Sequence, residues 1–556
     1  MKNCLIPKIH ASAYFLYFLL AGTILAGTTT ITPSVGTALN VTTDGAYVIL
    51  ANSQMSLDLD TTCRNGSENV SYVISDQANI SQTSLTSSST EFKTRFTFQP
   101  NAMKNVNTIE VKIVHYQDAG KTKLCQGGAT DITVTLLPLQ IKEIHFGGDH
   151  YHQVSSDSGT AYADPQWTDN NGDGNASDSG EHNYAVAYTQ GSTPKIGVTL
   201  GLSKASELDA SFQIKATGTG GISIPPTDAT PGSDTLDMTA TASDTTFPTK
   251  ILYYNKDSKD SEQPFTLNWF ISLNGNWVRI GAANGLTNHT LYLTKGDPAT
   301  SLRQETLFYI GCKQAEGTAG NASADTVTGL IWNRFASRNV TTVDGIQLAY
   351  YKSYNTQVTT TDGLLSTGDG QCGSWTRLFL DVCKEQGIAD ATDNFYIFTP
   401  INGDGFIVNN WSFNGAGHSG NINYPYLGLP QLPWPDAFFG VATYNWRYTE
   451  VIDEPGISAQ GTSNPASFFN NHQMAYINGR FYDASYGVTH TDVQNIQETL
   501  AGFYVGAVTA SVNEETVNLD LDGDGKITNT NVDTLVYFFQ KNSGALNIYP
   551  AAHFKY

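Results

Sequence analysis

The chain has 556 residues, of which 40% are hydrophobic and 11% aromatic, and it contains 51 glycines. This length and composition predict three or four folded domains and exclude an intrinsically disordered protein. The 51 acidic residues outnumber 30 basic ones, for a formal net charge of −21. A surface of this sign argues against nucleic acid as a partner, because binding to a phosphate backbone requires clustered basic side chains.

The first 27 residues have the layout of a secretory signal peptide. Lys2 and Lys8 precede an apolar run over residues 11–26, which is short for a membrane span. We expect cleavage near Ala26 and a secreted or cell-surface protein without a stable membrane span. Ile24 and Leu25 lie where a small residue is preferred, so the alternative is an uncleaved anchor.

Residues 28–139 are rich in Thr, Ser and Val, with alternating polar and apolar residues at 92–98 and 108–114. Such alternation, interrupted by turn residues, predicts an immunoglobulin-like β-sandwich. Its two cysteines, Cys63 and Cys125, are expected to form a disulfide, as is common in exported domains. The alternative is a pair of buried free thiols.

Residues 140–295 repeat the β pattern and predict a second β-sandwich. A sandwich in this position is typical of a spacer or of a module that binds a carbohydrate or a cell-surface ligand. Within it, oxygen side chains alternate around a glycine as in a calcium loop, and a surface turn is the alternative because no helix follows. The weaker candidate calcium ligands are Asp169, Asn171, Asp173 and Asn175.

Between residues 372 and 386 the sequence predicts a half-buried helix. Apolar side chains recur at the spacing of one helical stripe from Trp375 to Cys383. Gly387 is placed to end the helix. Cys372 falls in the first turn, where unpaired backbone N–H groups and the helix dipole favour a thiolate. The sequence therefore predicts a nucleophilic cysteine.

A candidate base follows about one hundred residues later. Asn478 and Gly479 predict a two-residue type I′ hairpin turn. That register makes His472 and Asp483 diagonal neighbours on one sheet face, within reach of a hydrogen bond. The other ring nitrogen is then free to take the thiol proton. His418 is the competing base, but no orienting carboxylate is predicted beside its glycine-flanked loop.

These residues carry a family resemblance. Gly370-Gln371-Cys372 opening a helix, followed by His472 and Asp483 on neighbouring strands, resembles the transglutaminase-like branch of the papain-like cysteine enzymes, over about residues 300–505. The resemblance implies an α+β domain over 296–510 and a Cys–His–Asp triad without a catalytic cofactor. It also implies acyl transfer from a protein or peptide amide, through a thioester, to water or an amine.

One departure from the family bears on the acyl acceptor. Gly373 and Ser374 separate Cys372 from Trp375, whereas animal transglutaminases carry Trp directly after the cysteine. This difference favours hydrolysis over protein crosslinking.

Two further features of this region leave alternatives open. Cys312 and Cys383 are either a disulfide or two core thiols, and Cys383 lies about 16 Å along the helix from Cys372, too far for a bond between them. The region 388–470 is rich in aromatic residues, which either wall a substrate cleft or pack as ordinary loops. Its tryptophans are Trp411, Trp434 and Trp446.

The tail, residues 511–556, contains an EF-hand-like calcium loop followed by a predicted helix over 532–539. Gly525 takes the tight-turn position, and Asn531 replaces the acidic twelfth residue, which predicts weaker binding. Loop and helix resemble half of a dockerin repeat, and since one repeat is present we expect structural calcium instead of cohesin docking. The candidate ligands are Asp520, Asp522, Asp524, Lys526, Thr528 and Asn531.

The sequence thus predicts a multidomain protein with two N-terminal all-β sandwiches, an α+β transglutaminase-like domain and an EF-hand-like tail. The expected function is that of a secreted cysteine enzyme. The alternative is a non-catalytic extracellular binding or scaffold protein with a relic triad. A thiol that reacts near neutral pH would distinguish the enzyme from the relic.

Overall fold

A computed structural model describes residues 131–399 and 458–491, each with short gaps. It also describes the backbone of strands between residues 28 and 114 and at 406–407, 445–448, 508–512, 515–517 and 538–541. The described part is mostly β-sheet with four α-helices. Several predictions lie outside the described residues: the signal segment, the Cys63–Cys125 disulfide, His418, Trp411, Trp434 and the calcium loop 520–531.

The first part of the chain is entirely β-strand where it is described. Residues 92–98 and 108–114 were expected to be extended, and they coincide with strands β5 and β6. Four strands form an antiparallel sheet in the order β1-β3-β5-β4, while β2 and β6 pair with β7. The strands are β1 Thr28–Pro33, β2 Tyr47–Leu50, β3 Gln54–Asp60, β4 Ile80–Ser87, β5 Glu91–Phe98, β6 Ile109–Val114 and β7 Asp131–Gly147.

The second part continues the β structure, because β7 runs on into its largest sheet. That sheet has the order β10-β9-β7-β12-β16-β15, a second has β14-β13-β18-β19 with β20 beside β18, and a third has β17-β21-β11-β8. The strands are β8 Tyr151–His152, β9 Trp167–Thr168, β10 His182–Asn183, β11 Val186–Thr189, β12 Lys195–Gly201, β13 Gln213–Gly218, β14 Ser223–Asp228, β15 Thr230–Pro231, β16 Thr235–Thr241, β17 Leu252–Tyr254, β18 Phe265–Leu273, β19 Asn276–Arg279, β20 Leu286–His289 and β21 Leu291–Thr294.

Alternating apolar residues explain the core of these sheets. Val198 lies opposite Ile144 on one neighbouring strand and Met238 on the other, and all three are buried. They share a hydrophobic cluster with Trp269, which is fully buried on β18. Residues two apart on a strand face the same side, so the sequence pattern places these apolar side chains on the inner faces.

The four helices begin after β21. Helix α2, Ala324–Ala336, begins after Ser323, whose side chain caps it by accepting a hydrogen bond from the Thr326 backbone N–H. Helix α4 packs against α1, α2 and α3. The helices and their short strands are α1 Glu305–Gln314, α2 Ala324–Ala336, β22 Ala349–Tyr350, α3 Thr361–Thr367, β23 Asp369–Gly370 and α4 Cys372–Glu385.

Helix α4 also packs against a sheet of order β30-β29-β28-β24-β33. The prediction of a helix over 532–539 is wrong at its end, because Phe538 and Phe539 lie in β33, which pairs with β24. The strands are β24 Phe395–Thr399, β25 Phe406–Ile407, β26 Asn445–Tyr448, β27 Phe468–Phe469, β28 His472–Ile477, β29 Arg480–Asp483, β30 Val488–His490, β31 Val508–Val512, β32 Glu515–Val517 and β33 Phe538–Lys541.

The helices share one hydrophobic core with strands that precede them. Tyr292 on β21 stacks on Tyr253 of β17 at 5.3 Å between ring centroids, and on Phe308 of α1 at 5.9 Å. The same cluster continues to Trp375 and Phe379 on α4. None of the helices in the described part is long and apolar enough to cross a membrane.

Candidate active site

The start of α4 places Cys372 at the first helical position. Gln371 precedes it with an extended backbone, and its carbonyl accepts the Trp375 N–H at 3.2 Å. Gly370 is required just before, since a Cβ there would collide with the Ser374 hydroxyl. The backbone N–H of Cys372 is one of the four that a helix leaves without an intrahelical acceptor. The predicted position of the cysteine is confirmed.

The far end of α4 is also as predicted. Gly387 adopts a left-handed φ of 72°. Its N–H donates to the Lys384 carbonyl at 2.9 Å, and the N–H of Ile388 donates to the Cys383 carbonyl at 3.2 Å. These two bonds form a Schellman motif, which satisfies the last carbonyls of the helix. The register of the helix is therefore fixed at both ends.

The hairpin that carries the candidate base has the predicted turn. Asn478 and Gly479 both have positive φ, 51° and 78°, as a type I′ turn requires. Ile477 pairs with Arg480 in the expected register. The two strands consequently bring His472 and Asp483 to one face of the sheet.

His472 and Asp483 form a buried, oriented pair. The Nε2–H of His472 donates to Oδ2 of Asp483 at 2.8 Å, and the side chains are 2% and 4% exposed. The other carboxylate oxygen accepts the backbone N–H groups of Ser485 at 3.1 Å and Tyr486 at 3.3 Å. These donors hold the carboxylate in place. The predicted hydrogen bond is confirmed.

The imidazole also reaches the sulfur. The sulfur of Cys372, which is 5% exposed, lies close enough to the imidazole to help raise its pKa. Because Nε2 is bonded to Asp483, Nδ1 is the ring nitrogen left to exchange a proton with the sulfur. The structure thus brings together all three residues that the sequence singled out, in the order sulfur, imidazole, carboxylate.

Electrostatics favour a charged imidazole at this position. Burial by itself lowers the pKa of His472, but the negative charge and hydrogen bond of Asp483, together with the contact to Cys372, outweigh it and raise that pKa to about 10. The ring is then an imidazolium at neutral pH. An imidazolium beside the sulfur supplies the positive charge that stabilises a thiolate nucleophile.

Helix α4 and strand β28 are tied together next to the pair. The hydroxyl of Thr376 donates to the backbone carbonyl of Gln473 at 2.9 Å. Gly373 lies against the Gln473 side chain, and a Cβ there would approach Oε1 to 2.8 Å. This close contact fixes the distance between the helix that carries the thiol and the strand that carries the imidazole.

Two tyrosines that sequence reasoning missed complete the surroundings of the thiol. Tyr350 and Tyr486 are buried, with ring centroids 5.2 Å apart, and Tyr486 lies 5.6 Å from His472. Burial raises the pKa of both phenols well above the usual value, and a negative charge on Cys372 would raise them further. Both phenols remain neutral. No local pattern in the sequence marks either residue.

The side chain of Gln371 has a structural contact. Its Nε2 donates to the Thr356 carbonyl at 2.6 Å, and its backbone N–H donates to the Val358 carbonyl at 2.8 Å. Both bonds hold the loop that precedes α3.

The question of a bond between Cys312 and Cys383 is answered, since both are free thiols. Burial raises the pKa of Cys312 to about 12 and raises that of Cys383 as well. Gln386 donates to the Cys312 sulfur at 3.4 Å. Both are core thiols, unlike Cys372, which lies beside an imidazole.

The loop proposed as a weaker calcium site is a network of turns. The two carboxylate oxygens of Asp169 accept the N–H groups of Gly172 at 2.5 Å and Gly174 at 2.6 Å. Asp173 accepts the N–H of Asn175 at 2.9 Å. Within the described residues, no group of three or more His, Cys, Asp or Glu side chains is arranged to hold a metal. Calcium binding by this loop, which also uses amide oxygens, stays a prediction.

Comparison with protein-family models and with curated proteins identified no relative of this chain.

Proposed function

We propose that this protein is a cysteine enzyme that cleaves or transfers acyl groups from peptide or protein amides through a thioester on Cys372. The observation that carries the proposal is the buried sequence of contacts from Cys372 through His472 to Asp483 at the start of α4. Protein and peptide amides are the substrate class that the family resemblance implies. The same proposal includes two N-terminal β-sandwiches followed along the chain by a transglutaminase-like α+β domain, in a secreted protein with structural calcium.

In the proposed first half-reaction, the Cys372 thiolate attacks the amide carbonyl carbon and forms a C–S bond. The carbonyl electron pair moves to oxygen, and the Cys372 backbone N–H donates to this oxyanion. The His472 imidazolium transfers its proton to the amide nitrogen, the C–N bond breaks, and an amine leaves. The products are an acyl thioester and a neutral imidazole.

In the second half-reaction, His472 accepts a proton from water as the water oxygen attacks the thioester carbonyl. The C–S bond breaks, the carboxylic acid leaves, and the thiolate–imidazolium pair is restored. Throughout, Asp483 keeps Nε2 protonated and the ring oriented. Water is the proposed acceptor because Gly373 and Ser374 follow the cysteine in place of the tryptophan of animal transglutaminases.

A non-catalytic binding or scaffold protein is the second candidate. The observation that favours it is burial, since Cys372, His472 and Asp483 are 5%, 2% and 3% exposed. A buried pair of this kind can serve packing alone. Reactivity of the sulfur separates the two functions, because a catalytic thiolate must be reached by reagents and substrates.

The experiment is iodoacetamide labelling of the native protein between pH 5 and 9, followed by peptide mass mapping. We expect Cys372 to label below pH 7 and to lose that labelling in His472→Ala. Cys312 and Cys383 are internal controls in the same sample, because both are fully buried, and they should label only after unfolding. Slow labelling of Cys372 that is the same in both proteins would contradict the enzyme and favour the binding protein.

A further inference from the structure

A cavity lies apart from Cys372, between strands of residues 140–295 and the start of α1. Its volume is about 200 Å³, and its lining includes Tyr162, Tyr184, Tyr253, Glu305 and Asp344. None of the three residues of the candidate active site lines it. Pockets for drug-sized ligands are typically about 300–1,000 Å³, so this cavity fits a small molecule or a single side chain.

One wall of the cavity is aromatic and already ordered. The rings of Tyr162 and Tyr184 are parallel within 2°, with centroids 4.4 Å apart. Tyr184 also stacks on His182 at 4.2 Å. Stacking holds these rings in place, so a ligand that packs on them has little side-chain entropy to remove.

The polar groups of the cavity are predominantly acidic. Three carboxylates line it, on Asp257, Glu305 and Asp344, against one basic side chain, Lys256. The ammonium of Lys256 pairs with Asp257 at 3.1 Å. Among the residues that line the cavity, Glu305 and Asp344 therefore have no basic side chain left to offset their charges.

Glu305 is the buried centre of this charge. Its oxygens accept the hydroxyl of Tyr162 at 2.7 Å and that of Tyr292 at 3.1 Å. Burial raises the pKa of Glu305, and the charges of Asp157 and Asp344 raise it further. Two phenol donors orient the carboxylate, and a cation beside it would favour its ionised form.

We propose that this cavity binds a small organic cation, a primary amine or a guanidinium, whose charged end lies between Glu305 and Asp344. A cation there forms charge-assisted hydrogen bonds with the carboxylates. Its methylene groups pack against the tyrosine rings that line the cavity. This inference is independent of the proposed function, because it uses none of the residues of that site.

The test uses the full-length protein and three probes of equal chain length that differ in charge. These are 1,5-diaminopentane, 1,5-pentanediol and glutarate, titrated at pH 7.5 and low salt by calorimetry. We expect saturable 1:1 binding of the diamine, at least tenfold weaker binding of the diol, and no binding of glutarate. A diol that binds as well as the diamine would overturn the proposal and indicate a hydroxyl-rich ligand such as a carbohydrate.

Two variants locate the binding. Glu305→Gln keeps the shape of the side chain, with an amide oxygen that accepts from one tyrosine hydroxyl and an NH2 group that donates to the other. Asp344→Asn changes an exposed residue, so it tests the proposal even if the first variant fails to fold. Each should weaken the diamine at least tenfold. Asp237→Asn, an exposed carboxylate on β16 outside the cavity, is the control and should leave binding unchanged. Equal affinity in all three variants would mean that the diamine binds to the overall negative charge, which would overturn the site.

Discussion

At the scale of single residues, Asp483 accepts hydrogen bonds from three N–H groups at the candidate active site. One oxygen orients the imidazole of His472, and the other is held by two backbone N–H groups. The carboxylate is therefore both a positioning group and the main source of the raised pKa of His472. Its charge and its shape can be separated by an isosteric substitution.

We expect Asp483→Asn to keep the shape of the side chain but to lose the negative charge and one of the two acceptor oxygens. Without that charge, burial dominates and lowers the pKa of His472, so the imidazolium is lost near neutral pH. Iodoacetamide labelling of Cys372 at pH 6.5 should fall by roughly tenfold or more, as a charge partner typically shifts a neighbouring pKa by one unit or more. Labelling rates measured by peptide mass mapping check this.

The matched control is Asp381→Asn, which removes a buried carboxylate from α4 that pairs with Lys384 at 2.6 Å. It should lower stability and leave the pH dependence of Cys372 labelling unchanged.

The pH dependence of the unfolding free energy provides a second measurement of the charged pair, and its sign can be predicted. A histidine whose folded pKa is raised contributes stability below its unfolded pKa of about 6.5, and this contribution disappears as the pH rises towards 10. Asp483→Asn should thus cost more stability at pH 6 than at pH 10, and an equal cost at both would contradict the charged pair.

The pair His472 and Asp483 could be predicted because a two-residue turn fixes the register of its strands. Cys372 could be placed because the apolar stripe of α4 begins one turn later. Tyr350 and Tyr486 could not be predicted. They lie near the sulfur, on β22 and in the turn after β29, and no local sequence pattern encodes how those segments pack.

At the scale of elements, the end of α4 is held against the loop before α1. A Cβ at Gly387 would lie 3.0 Å from the Asp297 carbonyl oxygen and from backbone atoms of Gly296. Those atoms are main chain and have little room to move. Gly387 is therefore constrained twice, by its left-handed φ and by this contact.

We expect Gly387→Ala to destabilise the protein by about 2–4 kcal/mol, from left-handed strain and steric overlap together. Gly368→Ala is the control, because Gly368 ends α3 with a φ of 75° and has nothing within 4 Å of its would-be Cβ. It should cost about 1–2 kcal/mol, the left-handed strain alone. Urea unfolding measures both, and equal costs would show that the contact with residues 296–297 is unimportant.

Among the elements, α4 was predictable from the spacing of its apolar residues and from Gly387 at its end. Strands of two residues, such as β22 and β23, were not, because their pairing depends on distant chain segments. The segment 532–539 shows the same effect, since Phe538 and Phe539 pair with β24 in place of continuing a helix. Tertiary pairing overrode the local pattern there.

At the scale of the whole molecule, the helices share a hydrophobic core with strands of residues 140–295. Tyr253 and Tyr292 from the strands pack with Phe308 of α1. The family resemblance implies an α+β domain from residue 296 onward, and the described helices begin at Glu305. The resemblance carries no information on which earlier strands those helices will cover, since such contacts depend on the packed arrangement.

The buried His289 predicts a pH dependence of global stability. It is fully buried next to the ring of Phe146, and burial lowers its pKa to about 3. As the pH falls below about 6.5, the unfolded chain binds a proton that the folded protein does not, so stability decreases by about 1.4 kcal/mol per pH unit. In His289→Gln this contribution is absent.

The difference in unfolding free energy between the natural protein and His289→Gln should therefore shrink by about 2–3 kcal/mol between pH 7 and pH 4.5. Between pH 7 and pH 8 the same difference should stay constant, because the histidine is neutral in both states. Urea denaturation at the three pH values provides the measurement. A difference that is unchanged at pH 4.5 would mean that His289 takes up a proton in the folded protein.

The distance along the chain between the thiol and its base has a kinetic consequence. Cys372 and His472 are separated by 100 residues, whereas His472 and Asp483 are joined by one hairpin. Closing a long loop costs more entropy than closing a short one, so we expect the hairpin and α4 to form before they dock. A newly synthesised chain would then carry a cysteine of ordinary thiol reactivity, and its fast labelling below pH 7 would begin only when docking is complete. Pulse labelling at pH 6.5 during refolding would show this as iodoacetamide reactivity that appears after the hairpin is formed.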